Sequence, residues 1–226
     1  IEVLKNGTEP KISDMKSFTD PDLPVEPQSI KTLFITGSEI DSFRFFDEMQ
    51  NLHKLVFLAC KSDYWADLRG NSSIKILRLH NLRQGRDYID NIDFIKTFPN
   101  LEYLYLNMVE IEKFPDVSRL LHLHTIISIC RKLIDYSSLE FAPALHTFAG
   151  NPAVDRQKTP AEAFIPILKN PSLKAFNYPQ FFFKRENKKL AEYVKEYCPD
   201  IHFPMHKMDG GIVDNSEVIS IVKLFF

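Results

Sequence analysis

The apolar residues of segment 101–123 have a spacing that fits neither a helix nor one long strand. Counted from Leu101 they stand at offsets 0, 3, 5, 8, 10, 13, 16, 19 and 22, through Leu104, Leu106, Val109, Ile111, Phe114, Val117 and Leu120 to Leu123. A helix would require a period near 3.6 and a strand a period of 2 throughout. A short strand with Leu101, Leu104 and Leu106 inward, then a turn, then a return leg that drops a side chain into the core every third residue, accounts for the whole series. Threefold spacing suits a 3₁₀-like or extended backbone. The segment predicts one coil of a solenoid.

The same offsets recur along the chain. Ile30, Leu33, Ile35, Ser38, Ile40, Phe43, Phe46 and Met49 lead to Leu52, and Leu52, Leu55, Phe57, Cys60, Trp65 and Leu68 lead to Ile74. The coil starts Ile30, Leu52, Ile74, Leu101, Leu123, Leu145, Leu173 and Ile201 are separated by 22, 22, 27, 22, 22, 28 and 28 residues. Pro-Asn-Leu at 99–101, Pro-Ser-Leu at 171–173 and Pro-Asp-Ile at 199–201 mark three of these boundaries, because proline disfavours helical geometry in the residue before it. The longer coils predict helices on the return leg. These are a two-turn helix within 90–98 that thickens the back of the coil, a capping box Thr159-Pro160-Ala161-Glu162 opening a helix to about Leu168, and an amphipathic helix over 185–198. In the fifth coil Ser128 and Arg131 occupy inward positions, and Ile127 and Ile129 offer a competing register. Residues 1–29 and 204–226 are expected to cap the array 30–203 at its two ends.

Seven to eight copies of LxxLxL at this period resemble the leucine-rich repeat proteins, and the 22-residue coils are similar to the short class found in bacterial internalins and in some phosphatase regulatory subunits. The resemblance implies an α/β fold: a right-handed leucine-rich-repeat solenoid with a curved parallel β-sheet on the concave face and 3₁₀ or α segments on the convex face. The family usually carries Asn or Cys at the ninth position of the coil. Here those positions are Ser38, Cys60, Leu82, Val109, Arg131, Ala153 and Phe181, of which Cys60 and, weakly, Ser38 fit.

In such a coil the residues between the inward leucines point away from the core. Parallel strands about 4.8 Å apart would set Phe34, Val56, Arg78, Tyr105, Ile127, Ala149 and Asn177 side by side in one row. Aromatic and arginine side chains on a rigid sheet are the types that dominate protein–protein hot spots. The candidate partner-binding residues are therefore Phe34, Val56, Arg78, His80, Tyr103, Tyr105, Asn107 and Ile127. The function expected is non-enzymatic binding of a protein partner through the concave face. The alternative is an enzyme or small-ligand domain with a pocket built from the 82–92 and 151–160 insertions.

With 28 Lys and Arg against 30 Asp and Glu and no basic block, nothing favours nucleic acid. No run of 18 apolar residues is present to span a membrane. The sequence has no GxSxG, HExxH or glycine-rich phosphate loop, and only 7 glycines. His122, His124 and His146 would need a third and a fourth ligand to hold zinc, and only Cys130 is near in sequence, so no metal or cofactor is expected. Three cysteines without a CxxC favour a reducing compartment such as the cytoplasm, while a start at Ile1 keeps a removed leader open. The triplets Asn6-Gly7-Thr8 and Asn71-Ser72-Ser73 match the glycosylation acceptor at chance frequency. A monomer is expected, or a dimer paired through an exposed terminal strand.

Overall fold

The computed structural model describes residues 2–3, 10–13, 26–130, 132–150, 159–177 and 184–201. The ninth-position residues Arg131, Ala153 and Phe181 and the cap expected over 204–226 lie outside them. Strands β1 (Glu2–Val3), β2 (Pro10–Ser13), β3 (Thr32–Thr36), β4 (Lys54–Leu58) and β5 (Ile76–His80) open the chain. A two-stranded hairpin follows, β6 (Arg83–Gln84) with β7 (Asp87–Tyr88), and then β8 (Tyr103–Asn107), β9 (Thr125–Ile129), β10 (Thr147–Gly150) and β11 (Ala175–Asn177). The main sheet runs β1-β2-β3-β4-β5-β8-β9-β10-β11, antiparallel between β1 and β2 and parallel from there on. Among the described residues, nine strands in sequence order, of which eight run the same way, make the chain a leucine-rich-repeat solenoid.

The inward side chains set the register. Leu33, Leu55, Leu77, Leu104, Ile126, Phe148 and Phe176 are successive partners, at offsets of 22, 22, 27, 22, 22 and 28 residues. All seven are fully buried. Between strands the chain returns through 3₁₀ segments at Arg44–Glu48, Trp65–Asp67, Asp93–Thr97, Ser137–Phe141 and Ala161–Phe164. Each drops aromatic or aliphatic side chains onto the sheet. Phe57 meets Trp65 edge-on at 5.2 Å, and Phe148 stacks on Phe176 at 5.9 Å. Burying one such side chain is worth about 1.5–3 kcal/mol, and stacking coils share one continuous core that no single coil could form.

The chain leaves four consecutive core strands through a left-handed residue, at Gly37, Ala59, Asn81 and Met108. The next side chain, Ser38, Cys60, Leu82 or Val109, then turns into the core. Cys60 fills the expected ladder role, its thiol donating to the Ile35 carbonyl of the preceding coil at 3.1 Å, and the Ser38 hydroxyl donates to Thr36 O at 2.9 Å. The fifth coil departs from this. Strand β9 keeps its register, with Leu106 opposite Ser128, so Ile127 and Ile129 do not displace it. The alternation then continues one step further, and Cys130 is buried beside Ser128, whose hydroxyl donates to its sulfur at 3.3 Å.

Two expected helices are corrected. Segment 90–98 holds the same five-residue 3₁₀ turn as other coils, at offset 93 − 77 = 16 from Leu77 where Arg44 is at offset 44 − 33 = 11 from Leu33. The 27 − 22 = 5 extra residues are therefore the β6–β7 hairpin, placed just past the strand exit and not on the back of the coil. Gly85 forms its turn at φ +59°. Asp63 of the preceding coil accepts from the Gly85 amide at 2.9 Å and ties the hairpin's turn to that coil.

The capping box is not formed either. The Thr159 hydroxyl donates to Leu133 O at 3.2 Å, and residues 161–168 are a 3₁₀ turn followed by the short helix α1 (Ile165–Leu168). The free amide of Ala161 is accepted by Glu186 of α2 (Lys184–Tyr197) at 3.0 Å, so the cap comes from the next coil. Helix α2 lies where its periodicity predicts it, with Leu190 and Val194 buried.

Asparagine bridges do tie the coils together, but at the coil entrance and not at the ninth position. Asn51, Asn71 and Asn100 donate to the carbonyls of Gln28, Met49 and Ser72, and Asn170 to those of Leu139 and Ala142, at 2.7–3.0 Å.

Candidate binding face

Strand alternation sends Leu104 and Leu106 to the core and Tyr103, Tyr105 and Asn107 to the opposite, distal face of the sheet. Pairing carries this across the strands. Phe34, Val56, Arg78, Tyr105, Ile127, Ala149 and Asn177 are partners in unbroken succession, the row that the spacing predicts. A second row holds Lys54, Ile76, Tyr103 and Thr125, and a third holds Leu58, His80, Asn107 and Ile129. All eight candidate residues thus lie on three neighbouring rows of one face.

The row is less open than the spacing suggests. Val56, Arg78, Tyr105 and Ile127 keep only 3, 8, 6 and 5% of their surface in solvent, whereas Phe34, His80, Tyr103 and Asn107 are half-buried. Tyr105 and Ile127 form a small apolar cluster of their own, separate from the main core, with Ile76, Tyr103, Ile129 and Ala149 packed against it. The Arg78 guanidinium lies 4.8 Å from the centroid of the Tyr105 ring, and the Asn107 amide donates to the Tyr105 hydroxyl at 3.1 Å. Cation–π stacking and this hydrogen bond hold the phenol in place. Burial, with Arg78 as a second cause, pushes the His80 imidazole below the ordinary histidine range.

At the strand entrances Tyr103 meets the His124 ring edge-on at 4.5 Å, and His124 stacks on His146 at 6.3 Å. Burial lowers the His124 pKa, partly offset by Glu102. Cys130 is buried in the core, and among the described residues no three His, Cys, Asp or Glu side chains are placed to hold a metal ion. Burial pushes the Cys60 thiol up to about 11 and Cys130 up to about 12, values that suit packing groups and not nucleophiles.

Of the two insertions expected to build a pocket, 82–92 is described, whereas residues 151–158 lie outside the described chain. A cleft of about 660 Å³ opens between residues 90–93 and 110–116, with Lys96 and Lys132 on its walls. Lys96 is held by Asp93 at 2.8 Å and Lys132 by Glu110 at 2.9 Å.

The sequence reading missed the hairpin at 83–88 and the asparagine bridges. Gly85 within Gln84-Gly85-Arg86, and asparagine one residue before or after proline at 99–100 and 170–171, were the available signals.

No protein-family profile and no curated protein matches the chain. Among solved structures it is similar to an internalin from Listeria monocytogenes, at 14% identity and a TM-score of 0.51, over 77% of this chain and 53% of that one. The chain thus spans about half the length of that structure. At such identity the likeness is one of fold, and it agrees with the sheet topology: this is a leucine-rich-repeat solenoid.

Proposed function

We propose that the chain is a non-enzymatic protein-binding module, with the distal face of its sheet seating one protein partner. The observation that carries this reading is the registered set of rows on β4, β5, β8 and β9. Rigid parallel strands fix Ile76, Tyr103, His80, Asn107 and Ile129 as a half-buried rim around the packed Arg78, Tyr105 and Ile127. Preorganised aromatic and aliphatic side chains lose little freedom on contact, the condition under which a modest area gives affinity. The buried row members then act as the platform, and Phe34, His80, Tyr103 and Asn107 make the contacts.

The test is site-specific photo-crosslinking from positions 103 and 107, with position 141 as control, since Phe141 is 69% exposed outside the strands. A single cross-linked protein from positions 103 and 107 is expected, absent from 141. Tyr103→Ala with Asn107→Ala should weaken its capture about 30-fold, the scale of a hot-spot loss. Cross-links from 141 alone would refute the assignment.

A further inference from the structure

His80 stands where an extra proton is hard to accommodate. On the distal face of β5, its register neighbours are Leu58 of β4 and Asn107 of β8, and Arg78 lies two residues back on the same face. Its Nδ1 is buried and makes no hydrogen bond. A neutral imidazole carrying its proton on Nε2 tolerates that, because Nδ1 is then a bare lone pair. An imidazolium does not, because both ring nitrogens become donors and one would be a buried N–H without an acceptor.

The charges around it give no relief. Among the described residues, the groups on the distal face of β4, β5 and β8 that carry or can gain charge, besides His80, are Lys54, Arg78, Tyr103 and Tyr105, and none is a carboxylate. Glu102 enters β8 at the far end of the strands and is bonded to Lys75 at 2.7 Å. Past the strand exits come Lys61, Arg83 and Glu110, and Glu110 is paired with Lys132 at 2.9 Å.

We propose that His80 is a proton-operated joint of this face: mild acid forces a charged imidazole into a place with neither acceptor nor counter-charge, the Arg78–Tyr105–Asn107 packing gives way, and a protein seated there is released. The release rests on the binding reading above; the joint itself does not. The sign follows from the lowered affinity of folded His80 for its proton. As pH falls, the unfolded chain takes up the proton first, so the contribution to stability is complete above the ordinary imidazole range and is lost below it.

The experiment is a ¹⁵N-imidazole NMR titration of the wild-type chain, paired with urea unfolding of wild type and His80→Gln between about pH 7.5 and pH 5.5. His80 should show the Nε2–H tautomer and titrate below about 6.5. The wild-type folding constant should fall more steeply than that of His80→Gln, by up to about tenfold per pH unit for one proton. Titration at or above about 6.5, or parallel slopes for the two chains, overturns the joint. Should His80→Gln not fold, the wild-type titration decides alone. The partner cross-linked at position 103 should be lost from wild type at the lower pH, whereas the capture that His80→Gln retains, reduced or not, should be the same at both pH values. Equal retention by wild type at both pH values overturns the release and spares the binding reading. Absence of any partner at this face overturns the binding reading, and the titration still judges the joint.

Discussion

The guanidinium of Arg78 lies over the ring of Tyr105, its register partner on the next strand of the sheet, although 27 residues separate them in sequence. Tyr105 also accepts from the Asn107 amide at 3.1 Å, so one ring has two polar attachments. Tyr105→Phe keeps the ring and loses the hydroxyl bond, and should cost about 1 kcal/mol. Tyr105→Ala removes the ring from its apolar cluster as well and should cost about 3 kcal/mol, read from urea unfolding.

Removing the hairpin tests where the extra residues reside. Deleting 84–88 joins Arg83 to Ile89 and brings Ile89 to the coil position of Ile40 and Ile111, all three buried. The Trp65 indole keeps its bond to Arg83 O, 2.8 Å long in the intact chain. The shortened chain should fold with unchanged sheet register and a stability loss of about 1 kcal/mol or less, because the deleted strands pair with each other and their turn is bonded to exposed Asp63. A collapse of the β5–β8 pairing in amide exchange would place the insertion elsewhere.

Asn170 is buried and donates to two carbonyls of the preceding coil, Leu139 O at 2.7 Å and Ala142 O at 2.8 Å, while its oxygen accepts from the Ser172 amide. Asn170→Ala leaves these groups unsatisfied and should cost about 2–3 kcal/mol. Asn170→Asp keeps the acceptor and discards both donors, and should be at least as damaging near neutral pH. Asn100, exposed to solvent at its single bond to Ser72 O, should cost well under half as much when changed to Ala. Thermal unfolding of the three variants ranks them.

Buried thiols define a chemical test. With Cys60 pushed up to about 11 and Cys130 up to about 12 by burial, neither should be alkylated in the folded chain near pH 8 on a timescale of hours. Half-buried Cys198, whose thiol donates to Leu168 O at 2.6 Å, should be modified first, as seen by mass spectrometry of peptides. Because the folded thiols hold their protons longer than unfolded ones, stability should decline as pH rises beyond the ordinary thiol range.

The amino-acid sequence alone determined the coil, its period and the row Phe34 to Asn177, because inward leucines at fixed offsets leave a parallel sheet a single register in which all of them are buried. Tertiary structure decided what a local pattern cannot carry. The Ala161 amide found its acceptor in Glu186, 25 residues away, so a sound capping signal at Thr159 went unused once its hydroxyl was needed by Leu133. The five extra residues of the third coil became a hairpin whose turn Asp63 of the neighbouring coil supplies with an acceptor, and Cys130 is buried one step beyond Ser128 where the strand alternation continues. Burial of Arg78 and Tyr105 on the distal face also belongs to the assembled sheet, since it depends on which side chains adjoining strands bring within reach.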